Sequence, residues 1–414
     1  MAIEFTIIEH TSPCSYIRQF PHSAKNDEAV LRLAIKEYRP RNQAVGDGDA
    51  VTIVAAHGIG FPKEAYTSLW EDIVNAAKGF TVASIWIADV ANHGASYDLN
   101  REELGDDPNW IDHSLDLLLM INRFRDRMTS SIIGIGHSMG CAQIAYLASV
   151  HPRLFQSVVF IEPLLQAFRP PGPNAPLFSS MRRDKWDSRA KAEAQIGKSA
   201  FFASMDPRSL KLYFAYALRD TPDGGVTLRT PKAQEAWTYA KQNFHPVSEK
   251  TLEGRKRERI INPDAVPFSE EGMAVVMRTE LMLICDALPH IRPRVLYIYG
   301  ETSHINIDTT REMHLSQTGI GRGGNGGVSE GGVDAEMLEG CGHLCCFEKP
   351  VVTAERISRW LDKEVAAKKD EKIFWNTVDT GKSKNGRTEL SEKWLVAMKR
   401  DPSLQRSSSD KAKL

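Results

Sequence analysis

No run of apolar residues in this chain approaches the roughly 20 needed to cross a bilayer, so no membrane span is expected. The first residues, MAIEFTIIEH, carry acidic side chains and lack a basic segment ahead of an apolar core, so no secretory leader is expected either. Cysteine is scarce: six in 414 residues, at 14, 141, 285, 341, 345 and 346. With that uneven spacing and no leader, they read as reduced thiols of an intracellular protein. A surplus of either charge is also missing, with 52 Lys and Arg against 53 Asp and Glu. A nucleic-acid-binding chain would normally carry a basic excess, so none is expected as a partner. What is present is length and apolar content: 42% of residues are hydrophobic, ample for a large core. Two or three domains would fit the length, and so would one large α/β domain with an insertion.

Short β-branched runs recur at Val51–Ala56, Thr81–Ile87, Ser131–Ile135, Ser157–Ile161 and Arg294–Tyr299. Runs of this kind suit strands buried on both faces of a parallel sheet. A helical pattern over Trp110–Met128 carries Ile111, Leu115, Leu118, Leu119 and Phe124 on one face. The alternation predicts a doubly wound, mostly parallel α/β sheet, whose sites lie at the carboxyl ends of strands. It lapses after Arg169-Pro170-Pro171-Gly172-Pro173, where helices rich in Ala, Lys and Arg suggest an inserted helical cap. The expected organisation is core over 1–163, cap over 164–290, core again over 291–363, and a C-terminal extension over 364–414. A β-hairpin is expected in the first 50 residues, a mobile glycine-rich loop over 319–332, and helices around Trp375 and Trp394 ahead of a disordered tail.

Gly136-His137-Ser138-Met139-Gly140 sits between a predicted strand and a predicted helix. That is the G-x-S-x-G nucleophile elbow in the context that gives it meaning. The serine must sit on a strained turn, and flanking glycines let neighbouring backbones approach. Ser138 is therefore the expected nucleophile. His343, in Gly340-Cys341-Gly342-His343-Leu344 after the last predicted strand, is the expected base, in the chain order Ser…acid…His. The commonest acid position in this fold follows the strand before the histidine loop, as Gly-x-x-Asp. Here that segment reads Gly300-Glu301-Thr302-Ser303, with serine in place of the aspartate. The other position follows the strand after the nucleophile helix, at Glu162 in Phe160-Ile161-Glu162-Pro163. Glu162 is the favoured acid, with Glu301 and Asp308 as alternatives. An oxyanion hole needs two backbone N–H groups. Met139 is expected to supply one and Ile59 the other, with Gly60 competing, while His57 reads as a brace for that loop.

Other patterns point to chemistry more weakly. Asp89…His93-Gly94-Ala95-Ser96 reads as scaffold. Cys341, His343, Cys345 and Cys346 cluster in sequence, but structural zinc would need a second pair of ligands elsewhere. Gly319-Ile320-Gly321-Arg322-Gly323-Gly324 fits G-x-G-x-x-G without the preceding strand and following helix of a dinucleotide site. Arg182, Arg183 and Lys185 could meet CoA phosphates but read better as a solvated helix face. No metal and no cofactor is expected. Ala412-Lys413-Leu414 matches the small-basic-leucine pattern of a peroxisomal address, read by an import receptor.

Taken in order, His57-Gly58, Asp89…His93-Gly94, the 136–140 motif, Glu162, the glycine-rich loop, Gly342-His343 and the terminal tripeptide resemble the fungal peroxisomal α/β-hydrolases. Within that family the acid can follow the same strand as an aspartate, one methylene shorter than Glu162. The resemblance implies an α/β-hydrolase fold, a helical lid, and hydrolysis of an acyl-CoA thioester in the peroxisomal matrix, in fungal secondary metabolism. A carboxylesterase or lipase acting on oxygen esters is the alternative, and a homodimer is left open.

Overall fold

The computed structural model describes residues 3–41, 50–242, 251–261, 275–378 and 388–400. The chain divides into two units, Met1–Val365 and Ala366–Leu414. In the first, every apolar run singled out above becomes a strand. In chain order the strands are β1 (Phe5–Pro13), β2 (Arg32–Pro40), β3 (Ala50–Ala56), β4 (Thr81–Ala88), β5 (Ile132–His137) and β6 (Ser157–Ile161). There follow the short β7 (Lys185–Trp186), β8 (Leu218–Asp220), β9 (Val226–Leu228), β10 (Ala240–Gln242) and β11 (Val275–Met277), then β12 (Arg294–Gly300) and β13 (Val333–Leu338).

Eight of these form one sheet in the order β1-β2-β4-β3-β5-β6-β12-β13. β1, β2 and β4 pair antiparallel, which fulfils the expected antiparallel start, and the rest pair parallel. The turn-forming residues Gly46-Asp47-Gly48-Asp49 lie outside the described residues. The central strands are buried on both faces, and successive side chains divide between two cores. Val54, Val158 and Tyr297 join the helices Trp110–Arg123, Met139–Val150 and Glu280–Ala287 on one face. Ile53, Val159 and Ile298 join the helix Thr67–Ala76 and the first turns of Pro350–Thr377 on the other. Asn109 caps the helix Trp110–Arg123, its side-chain oxygen accepting from Ile111 N–H at 2.8 Å.

Between β6 and β12 the chain is helical in large part, as expected, but it also holds a three-stranded sheet β7-β9-β8 and the pair β10-β11. Strands of two or three residues leave no period for a pattern to show. The glycine-rich stretch 319–332 departs from the mobile loop expected of it. Gly319 and Gly321 N–H donate to Leu288 and Pro289 carbonyls, Gly326 N–H to Gly319, and Asn325 Nδ2 to Pro293. It lies between the helix Asp308–Gln317 and β13, not between a strand and a helix.

In the second unit the helix Pro350–Thr377 continues past residue 366 and a further helix spans Glu392–Arg400, with Trp375 and Trp394 exposed. Ala412, Lys413 and Leu414 lie outside the described residues. No described helix is long and apolar enough to cross a membrane.

Candidate active site

β5 ends at His137, and the helix Met139–Val150 begins two residues later. Ser138 joins them at φ 53° and ψ −117°, in the left-handed half of the map where a side chain is strained. The two motif glycines make the turn possible. A Cβ on Gly140 would stand 2.1 Å from the Ala56 carbonyl oxygen, and one on Gly136 would stand 2.6 Å from Cys141 N. The turn points the Ser138 hydroxyl over the carboxyl end of the sheet while the residue stays 8% exposed.

His343 follows β13, its ring facing Ser138 with Nε2 2.9 Å from Oγ. Nδ1 lies 3.0 Å from Glu162 Oε2. The tautomer that gives each group a partner has Nδ1–H donating to Glu162 and Nε2 accepting from Ser138 O–H. Glu162 comes directly after β6 at φ 49°, and its own N–H donates to Ile298 O on β12 at 2.8 Å. Its carboxylate is fully buried and accepts from Gly300 N–H through Oε1 and from Ser303 Oγ–H through Oε2. Glu301 instead accepts from Gly340 N–H at the exposed edge, and Asp308 is an exposed partner of Arg311. Of the three carboxylates weighed from sequence, the one that meets the His343 ring is Glu162.

Met139 N–H opens its helix, where no intrahelical acceptor exists. Ile59 N–H has no acceptor among the described residues. Gly58 N–H is committed to Tyr66 Oη at 2.8 Å. From there a directed chain of hydrogen bonds crosses the site. Tyr66 O–H donates to His137 Nδ1 at 2.7 Å, and His137 Nε2–H donates to the His343 carbonyl at 3.1 Å. His137, the residue before the nucleophile, thus links the loop after β3 to the loop carrying His343. Burial, then the nearby His343 charge, holds the His137 imidazole down to about 3, so it stays neutral. Sequence reasoning missed Tyr66, and no local pattern marks it.

His57 does brace its loop: Nδ1–H donates to Gly58 O and Nε2 accepts from Val90 N–H, tying the β3 loop to the β4 loop. Asp89 is scaffold in the same sense, receiving Lys63 N–H, Lys63 Nζ and Ala95 N–H in full burial. Arg182 is not a solvated cation. It pairs with buried Glu235, which also takes Ser179 Oγ–H, and which lies over Gly60. Cys141 is buried behind the elbow, and burial lifts its thiol well above the usual range, so no rival nucleophile stands there. Cys341, Cys345 and Cys346 are likewise buried, and both His343 nitrogens are taken. The arrangement can deprotonate a serine hydroxyl, hold the resulting imidazolium, and offer two N–H groups to an oxyanion.

Comparison with known proteins agrees with this architecture. The alpha/beta hydrolase family profile matches residues 53–356. A type I acyl-CoA thioesterase of Penicillium brevicompactum is 35% identical over 99% of both chains. Another of that name, from Penicillium roqueforti, is 34% identical over the same shares. Among solved structures, the peroxisomal alpha-beta-hydrolase Lpx1 of Saccharomyces cerevisiae superposes with a TM-score of 0.68 over 95% of each chain, at 18% identity.

Proposed function

This chain belongs to the alpha/beta hydrolase family and is a hydrolase, and on that premise we propose that it cleaves acyl-CoA thioesters through Ser138, His343 and Glu162. The observation that carries the mechanism is the unbroken line from Ser138 Oγ through His343 to Glu162, with contacts of 2.9 and 3.0 Å. The choice of thioester is supported by the relatives of that name, 34 and 35% identical over nearly the whole chain.

In this reading His343 Nε2 takes the Ser138 hydroxyl proton as Oγ attacks the thioester carbonyl carbon. The carbonyl oxygen becomes an oxyanion held by the Ile59 and Met139 N–H groups. Glu162 steadies the imidazolium without taking its proton. The tetrahedral species collapses by breaking the carbon–sulfur bond, and, as His343 gives up its proton and becomes neutral again, the CoA sulfur leaves with that proton. Its low basicity makes this step easier than expulsion of an amine. His343 then takes a proton from water, the hydroxide attacks the acyl-serine carbonyl, and the free acid departs as Ser138 regains its proton.

Import into the peroxisomal matrix through Ala412-Lys413-Leu414, and service in a fungal secondary pathway, belong to the same proposal. The tripeptide's pattern supports the first. A fluorescent fusion bearing residues 401–414 should collect in peroxisomes, and one ending in Ala in place of Leu414 should stay diffuse. The substrate is tested by CoA release from short, long and polyketide-like acyl-CoAs, beside p-nitrophenyl and glyceride esters. Turnover of acyl-CoA that disappears in Ser138→Ala is the expected result. Cleavage of oxygen esters without CoA release would make the protein an esterase or lipase instead.

A further inference from the structure

The turn after β12 touches both Glu162 and the loop that carries His343. Ser303 N–H donates to Gly300 O at 3.2 Å, closing the turn. Thr302 sends both its N–H and its hydroxyl to the Cys341 carbonyl, two residues before His343. Ser303 itself is 7% exposed, and its hydroxyl lies 2.5 Å from Glu162 Oε2. That is the same oxygen that faces His343 Nδ1. Glu162 projects from a backbone at φ 49° on a longer side chain than aspartate, with an extra torsion to fix. Gly300 N–H fixes one oxygen, and only Ser303 among the described side chains besides His343 donates to the other.

We propose that Ser303 is a positioning residue of the site: its hydroxyl holds the Glu162 carboxylate in the rotamer that meets His343 and shares the charge of the oxygen they have in common. The inference rests on the proposed Ser138–His343–Glu162 triad. It also explains why a serine stands where this fold more often carries the acid, since the two positions converge on one place in space. The charged or titratable groups around the carboxylate are His343, His304, Tyr299, Arg311, His314 and the thiols of Cys141, Cys341, Cys345 and Cys346. None but His343 makes a hydrogen bond to it among the described residues.

The test follows the rate at which a fluorophosphonate probe labels Ser138 in the full chain, from pH about 5 to about 9, and so does not depend on the natural substrate. Removing a donor from Oε2 leaves more negative charge on that oxygen to favour a protonated His343, and leaves the side chain less firmly held for the reaction. Ser303→Ala should therefore slow labelling about tenfold near pH 7 and move the acid limb of the profile up by about half a unit. Ser303→Thr, which keeps the hydroxyl, should stay within about twofold of wild type, with the limb unmoved. A packing role alone would lower the labelled fraction without moving the limb. An acid limb in Ser303→Ala that coincides with wild type overturns the proposal whatever the rate. Glu162→Ala serves as the control for the premise: if it labels as fast as wild type, the triad reading fails first.

Discussion

Replacing the carboxylate of Glu162 by an amide leaves the size of the side chain and removes the charge that holds His343. Glu162→Gln should lower kcat by about 10⁴, the scale known for the acid-to-amide change in a Ser-His-Asp site, with KM little altered. Glu301→Gln and Asp308→Asn, which change exposed groups, should stay within about twofold. Steady-state kinetics on the three variants separates the carboxylates. Because Ser303 and Glu162 converge on one oxygen, the acid should also be movable, and Ser303→Asp added to Glu162→Ala should recover at least about tenfold over Glu162→Ala alone. Tyr66→Phe strips Gly58 N–H and His137 Nδ1 of their shared partner. It should cost about 1 to 3 kcal/mol of stability, read from denaturant unfolding. Ser138 and His343 were legible in sequence because their neighbours carry a motif or a fixed place in chain order. Glu162 required a choice among three carboxylates that only proximity resolves. Tyr66 and Ser303 act across gaps of 71 and 141 residues, and nothing local records such a meeting.

At the scale of elements, the parallel strands were legible because burial on both faces leaves continuous apolar runs. β13 was not, because as an edge strand it buries only its end residues Val333 and Leu338, while the four between them are exposed or partly so. The glycine-rich loop misled in the other direction. Its composition suggests a chain without fixed form, yet the turns it makes need φ between 70° and 88° at Gly319, Gly323, Gly326 and Gly331, which glycine adopts without strain. The elbow is the element with least tolerance. In Gly140→Ala the new methyl would overlap the Ala56 carbonyl, so β3 and the nucleophile helix must separate. Thermal unfolding followed by circular dichroism should show a loss of about 3 kcal/mol or more, or no folded protein at all.

For the whole molecule, the balance of charge says little about stability, but the buried histidines say a good deal. Burial first, with neighbouring positive charge, holds His93 and His137 down to about 3. Both are neutral in the folded protein across the working range, whereas in the unfolded chain each takes a proton near pH 6.5. The stability they confer is therefore complete above about pH 6.5 and is lost as pH falls toward about 3. By pH 5 the loss should reach about 2 kcal/mol for each histidine, 1.5 units at 1.36 kcal/mol per unit. Denaturant titrations at pH 7 and pH 5 should show that fall, and His137→Asn should make it shallower. Fold class followed from sequence because it depends on period and burial; these histidines did not, because their neutrality depends on what closes over them.

The central claim is that acyl transfer passes through Ser138. It is tested most directly by mixing the protein with an acyl-CoA, quenching in acid within the first turnover, and weighing the peptide that carries residue 138. The expected result is an acyl adduct on Ser138, formed in step with an equal amount of CoA, and neither adduct nor CoA from Ser138→Ala. Release of CoA by Ser138→Ala at the wild-type rate, or an adduct mapped to Cys141, would contradict it.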